Sequence, residues 1–157
     1  VSVERIVTGK RRLLVCKDGF IRFMSPGGLM VKDDGKSPRY DALVQALPTP
    51  TVLDVVLDGT GIAVVTDLIP FDKFTKQTSA PYAERYRAMS DLRRKIGTGG
   101  IVRVSHNLVC QSDQHLKLAM QKSIQQGYPG VWVKNFESTY FEENSWLEWT
   151  NENRRNR

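Results

Sequence analysis

The chain has 157 residues, 40% of them apolar, and carries 23 Lys and Arg against 17 Asp and Glu, a formal net charge of +6. This composition predicts one domain with a real core, and no apolar run approaches the ~20 residues that a bilayer span needs. Residues 1–12 lack the apolar block of a secretory signal, so we expect an intracellular protein without a membrane partner. The two cysteines and two histidines have no metal-ligand spacing, so we expect no metal.

Short strands and tight turns are predicted for the start of the chain. Apolar runs indicate strands at residues 3–8, 13–16, 20–24 and 29–32. Lys17-Asp18-Gly19 contains the Asp-Gly dipeptide of a hairpin turn, so we expect the first strands to form an antiparallel meander. A short helix should follow, capped by Ser37, with an apolar face listed as Tyr40, Leu43, Val44 and Leu47.

The middle of the chain predicts a hairpin and a longer helix. Strands are expected at residues 51–57 and 62–69, around the turn Asp58-Gly59-Thr60-Gly61. Ser79 should cap a helix over residues 80–96, whose apolar stripe is Tyr82, Tyr86, Met89, Arg93 and Ile96. The remaining surface of this helix then carries Arg85, Arg87, Arg94 and Lys95. A solvated face and a nucleic-acid contact both remain open for these cations.

The last part of the chain predicts strands at residues 101–104, 108–110 and 131–134, with a helix capped by Ser112 before the last of them. Beyond residue 135 the sequence is polar apart from scattered aromatic residues, and residues 151–157 form a basic tail. We therefore expect a domain over residues 1–150 of the α+β class, with largely antiparallel sheets flanked by helices.

Four segments occur in an order and spacing that resemble the adenylation domain of ATP-dependent DNA ligases. They are Val55-Val56-Leu57-Asp58-Gly59, the run from Ala63 to Ile69, Pro81-Tyr82-Ala83-Glu84-Arg85, and the run from Gly127 to Lys134. The resemblance covers nearly the whole chain. It implies an ATP-grasp-like core of the ligase nucleotidyltransferase type, with two sheets around a nucleotide pocket. The residues that it places in what remains of this pocket are Arg5, Asp58, Asp67, Lys134 and Trp146.

Several positions depart from the catalytic pattern of that family. Aligning Arg5 with the arginine of K-x-D-G-x-R places the nucleophilic lysine just before Val1. The other departures, where the family has an acid, a glycine or a lysine, are Ser2, Val3, Thr60, Pro129, Glu148 and Thr150. The apolar strands of the pattern are retained while the side chains at its catalytic positions have changed. We therefore expect a domain without catalytic residues or bound cofactor. A structural role also remains open for Asp67, Lys134 and Arg5.

The resemblance therefore predicts a catalytically inert module that acts through protein interaction, structure or nucleic-acid binding. We rank a protein partner or self-assembly above DNA, because acidic residues interleave with the cations. If DNA is bound, we expect contacts at Arg85, Arg87, Arg94, Lys95, Arg154, Arg155 and Arg157. A phage genome fits so reduced a module, which would then reside in the host cytoplasm or the virion. The alternative is a fragment of an active ligase that uses ATP and Mg²⁺, with its nucleophilic lysine upstream of residue 1.

Overall fold

The computed structural model describes residues 1–29, 40–143 and 145–150. Nine strands and four helices lie within these ranges. The strands are β1 (Ser2–Arg5), β2 (Lys10–Lys17), β3 (Phe20–Met24), β4 (Thr51–Leu57), β5 (Ala63–Pro70), β6 (Val102–Val104), β7 (Asn107–Val109), β8 (Gly130–Lys134) and β9 (Trp146–Thr150). The helices are α1 (Asp41–Ala46), α2 (Phe71–Thr75), α3 (Tyr82–Ile96) and α4 (Asp113–Gln125).

The strands form two sheets, which confirms the predicted α+β class. The five-stranded sheet has the order β3-β2-β4-β5-β6 and is antiparallel except for the parallel pair β5 and β6. The four-stranded sheet has the order β7-β1-β8-β9 and is antiparallel throughout. The predicted meander is therefore wrong in one respect, because β1 ends at Arg5 and pairs with β7 and β8, far away in sequence, instead of with β2.

Each sheet has its own helical cover and its own part of the core. Helices α1 and α3 pack together, and α3 packs on β5 and β6. The side chains buried there include Leu14, Phe23, Leu43, Leu53 and Met89. Helix α4 packs on β1 and β8 and buries Met120 against Val3 and Val131. Burial of these apolar side chains supplies the driving force that holds the helices to the sheets.

Local signals account for several of the element boundaries. Asp18 and Gly19 both have positive φ, as the predicted hairpin turn between β2 and β3 requires. The Ser112 side chain accepts a hydrogen bond from the His115 backbone N–H at 3.2 Å, which confirms the cap of α4. None of the helices in the described ranges is long and apolar enough to cross a bilayer.

Other sequence-based expectations need correction. Helix α3 begins after Pro81 and has no side-chain cap, because the Ser79 hydroxyl accepts a hydrogen bond from the Tyr140 backbone N–H instead. Strand β9 was not predicted, since its polar and aromatic residues gain strand geometry only by pairing with β8. The predicted strand at 29–32 falls largely outside the described residues, as do the cap Ser37 and the tail with Arg154, Arg155 and Arg157.

Candidate site between the two sheets

Lys134 lies at the junction of the two sheets and is fully buried. Its ammonium Nζ is 2.7 Å from Glu4 Oε1 on the neighbouring strand β1. The same ammonium donates to the backbone carbonyl of Thr66 on β5, in the other sheet. It also lies 3.8 Å from the centroid of the Trp146 ring. The Glu4 carboxylate neutralises the charge of this ammonium, and the Trp146 ring adds a favourable cation–π contact.

A second polar cluster lies beside Lys134 and joins β2 to β4. Arg11 Nε donates to Asp54 Oδ1 at 3.0 Å, and the Tyr140 hydroxyl donates to Asp54 Oδ2 at 2.7 Å. The Arg11 guanidinium lies 5.4 Å from the Trp146 ring centroid, so Arg11 and Lys134 both lie close to this ring. Burial, together with the Asp54 charge, raises the pKa of Tyr140, so its hydroxyl stays protonated and remains a donor.

Asp67 forms a buried ion pair with Arg85. Arg85 Nε is 2.8 Å from Asp67 Oδ1, and the two side chains are 2% and 0% exposed. Arg85 also donates to the Ser138 carbonyl at 3.0 Å. The prediction that Arg85 is a surface cation for nucleic acid is therefore wrong, because α3 turns this side chain toward β5. Arg87, Arg94 and Lys95 are exposed as expected, and Arg94 pairs with Asp91.

An open cleft of about 610 Å³ adjoins the end of β1. Arg5, Asp58 and Pro129 line it, so three positions of the ligase-like pattern meet there. Asp58 Oδ1 accepts hydrogen bonds from the Thr60 backbone N–H at 2.8 Å and from the Thr60 hydroxyl at 2.7 Å. These bonds lower the pKa of Asp58 and hold its carboxylate against the turn.

The five predicted pocket remnants therefore separate into two groups. Arg5 and Asp58 line the open cleft, whereas Asp67 and Lys134 are buried in ion pairs and Trp146 packs over Lys134.

Sequence reasoning missed the residues that engage this second group. Glu4 and Thr66 contact Lys134, and Arg11 lies near the Trp146 ring. Asp54 and Tyr140, also missed, hydrogen-bond with Arg11 and with each other. Asp54 stands alone as an acid within an apolar run, which is the feature noted for Asp67, whereas Glu4 is followed directly by Arg5 and carries no such signal.

Comparisons with known proteins rest on structure alone. No protein-family model and no curated protein matches the chain. The chain named Pmar-Lig_Pre superimposes with a TM-score of 0.77 at 16% identity, over 95% of this chain. The ligase domain of M. tuberculosis LigD superimposes with a TM-score of 0.63 at 21% identity, over 92% of this chain. The fold is that of a DNA ligase nucleotidyltransferase domain.

The ligase-like fold accounts for only part of each neighbouring chain. The superposition covers 42% of Pmar-Lig_Pre and 52% of the LigD ligase domain. A Lig E DNA ligase, described as binding DNA with a minimal scaffold, matches with a TM-score of 0.65 at 9% identity, over 61% of its length. The chain thus spans about half the length of the solved structures that it matches.

Proposed function

We propose that this ligase-like domain has no adenylation activity and acts as a binding or structural module. The observation that carries the proposal is the environment of Lys134. In the family that the chain resembles, the lysine at this position faces phosphate, which requires free N–H donors and an uncompensated positive charge. Here Glu4 supplies a countercharge at 2.7 Å, and the Thr66 carbonyl and the Trp146 ring occupy the remaining space.

The residues at the metal and phosphate positions also support the loss of chemistry. Mg²⁺ prefers oxygen ligands, chiefly carboxylates, but Thr60 and Pro129 stand where the ligase pattern has acids. Glu148 and Thr150 stand where the pattern has phosphate-facing lysines. No group of three or more acidic, His or Cys side chains that could hold a metal occurs among the described residues. This set of residues does not fit a metal ion and a triphosphate.

A protein partner remains our preferred partner for the module. The two edge strands of the four-stranded sheet, β7 and β9, expose Leu108, Val109 and Leu147 at 45%, 52% and 57%. Apolar side chains on the edge strands of the described sheet suit a protein contact better than a phosphate backbone. Among the cations predicted to contact DNA, Arg85 is buried in an ion pair with Asp67. Fewer of these cations are therefore available for phosphate contacts.

The direct test is incubation with ATP labelled in the α-phosphate, together with Mg²⁺ or Mn²⁺. The intact mass should stay unchanged and no label should remain after denaturation. A stable gain of one AMP would overturn the proposal.

The alternative of an upstream nucleophile needs its own variant. Addition of a Lys directly before Val1 places the side chain where this alternative requires it, and addition of Arg at the same place is the matched control. Arg5, which still lines the cleft, is the observation that favours this alternative. We expect neither variant to accept AMP, because Thr60 and Pro129 supply no carboxylate. Adenylation of the Lys variant alone would establish that the rest of the site is competent.

A further inference from the structure

A narrow groove lies between the edge strand β7 and helix α4. Its cavity of about 160 Å³ is lined by the apolar residues Val3, Leu108, Ala119 and Val131. Leu108 is 45% exposed, so the groove is open to a partner along β7. Small-molecule pockets typically span roughly 300–1,000 Å³, whereas a cavity of about 150 Å³ accommodates one benzene ring. The groove therefore has room for one side chain of a partner and not for a whole cofactor.

The backbone of β7 presents hydrogen-bonding groups along the mouth of this groove. The Val1 ammonium donates to the Cys110 carbonyl at 3.2 Å, and the Cys110 N–H donates to the Val1 carbonyl at 2.9 Å. Bonded and non-bonded pairs alternate along antiparallel strands, so Asn107 and Val109 direct their N–H and C=O groups away from β1. Within the described ranges, β7 is the outermost strand of its sheet on that side. An extended segment can therefore continue the sheet at β7.

The rim of the groove is positively charged. Lys122 from α4 and Arg5 from β1 line it, together with His106. Glu4 is the one carboxylate among the described residues that line the groove, and it is buried and paired with the Lys134 ammonium at 2.7 Å. An acidic side chain of a partner would therefore meet these cations without competition from a free carboxylate of this chain.

We propose that this groove binds an extended segment of a partner protein, in which an apolar residue and an acidic residue stand two positions apart. The segment adds a strand at β7, and its apolar side chain enters the groove beside Leu108. Side chains two positions apart in a strand lie on the same face, so the acidic side chain also faces α4 and reaches Lys122 or Arg5. The inference rests on the proposed function and deepens it, because it names the surface and the chemistry of the protein partner.

A second copy of this chain fits the groove less well than an acidic partner. Pairing of two β7 strands would bring Lys122 and Arg5 of one copy toward the same residues of the other. Like charges on facing surfaces oppose association. A partner that carries acidic residues replaces this repulsion by attraction, and the charge of the rim therefore favours a different protein.

Binding of the purified protein to a library of short synthetic peptides tests the inference. Each peptide has Leu at its centre and Glu, Lys or Thr at the other positions. We expect enrichment of Glu two residues from the Leu, because an adjacent Glu would face away from α4. Enrichment of Lys, absence of any positional preference, or absence of binding would overturn the proposal. Self-association that Leu108→Asn abolishes would assign the groove to a second copy and would also overturn it.

The selected peptide also reports whether it adds as a strand. Methylation of the backbone nitrogen at alternate residues removes the N–H donors along one edge of the peptide. Only one edge of an added strand faces β7, so one set of alternate positions should abolish binding while the other set leaves it nearly unchanged. Equal effects of the two sets would overturn strand addition.

Variants decide whether the groove is the place of binding. Lys122→Glu should weaken binding of the selected peptide by about ten-fold, because it replaces an attraction by a repulsion. Lys117→Glu is the matched control, since Lys117 is exposed on the same helix but does not line the groove. Leu108→Asn should abolish binding, whereas Leu147→Asn on the opposite edge strand β9 should not change it. Equal weakening within either pair would overturn the site. The adenylation assay does not depend on these results, so either proposal can fail alone.

Discussion

The ammonium of Lys134 lies 2.7 Å from the carboxylate of Glu4, and neither side chain is more than 1% exposed. The two residues belong to adjacent antiparallel strands, and Lys134 also bonds to Thr66 in the other sheet. Burial raises the pKa of Glu4, and the neighbouring ammonium offsets part of that effect. Lys134 thereby joins the two sheets through its bond to Thr66, while Glu4 in its own sheet neutralises its charge.

The first prediction is that the Lys134–Glu4 pair is strongly coupled. Lys134→Met leaves the Glu4 carboxylate buried without a countercharge, so the free energy of unfolding should fall by about 3–5 kcal/mol. The double variant Lys134→Met with Glu4→Met replaces both charges by apolar groups of similar size and should recover most of the loss. Urea unfolding of the wild type, both single variants and the double variant measures this coupling. Additive losses would show that the pair is not coupled.

The second prediction separates a buried from an exposed arginine on α3. Arg85→Gln leaves Asp67 buried and without its cation, so the free energy of unfolding should fall by about 3 kcal/mol or more. Arg87→Gln, two residues further along the helix, should change stability by less than about 0.5 kcal/mol. Thermal and urea unfolding provide the comparison. Similar stabilities for the two variants would contradict the placement of Arg85.

Local sequence signals predicted much of the fold. Strands β3 and β4 match their predicted bounds, and Ser112 was identified as the cap of α4, because alternation and capping act within a few residues. Strand β9 was missed because Trp146–Thr150 becomes a strand through its register with β8. Because this strand depends on pairing with β8, its own short polar sequence contains no pattern that predicts it.

The candidate site was predictable only in part, for the same reason. The motif order singled out Asp67 and Lys134, and both lie in the inter-sheet region. Their partners, Arg85 and Glu4, could not be named, because which charges meet depends on how helix α3 and the two sheets pack. Arg85 was assigned to the surface because it lies outside the predicted apolar stripe of α3, but its ion pair with the buried Asp67 holds it inside.

The third prediction concerns the close approach of β8 and β9. A Cβ placed on Gly130 would lie 2.1 Å from the Trp149 carbonyl oxygen, a distance that backbone atoms cannot accommodate without moving. Gly130→Ala should therefore displace β9 and lower the free energy of unfolding by about 2 kcal/mol or more. Gly99→Ala is the matched control, since no atom lies within 4 Å of its added Cβ. Urea unfolding that gives equal stability for the two variants would contradict this packing.

The last prediction concerns the buried thiol of Cys16, which is 4% exposed. Burial raises its pKa from 9.0 to about 12. Between these values the unfolded chain loses the thiol proton while the folded chain keeps it, so the stabilisation is fully present below pH ~9 and is lost as the pH rises through about 12. From pH ~8 to ~10 the wild type should lose about 1 kcal/mol more than Cys16→Ala. Urea unfolding at both pH values measures the change in the free energy of unfolding of each protein. The cavity that Cys16→Ala creates lowers stability equally at both pH values, so it does not affect this comparison. Equal losses in the two proteins would show that the thiol titrates as it does in the unfolded chain.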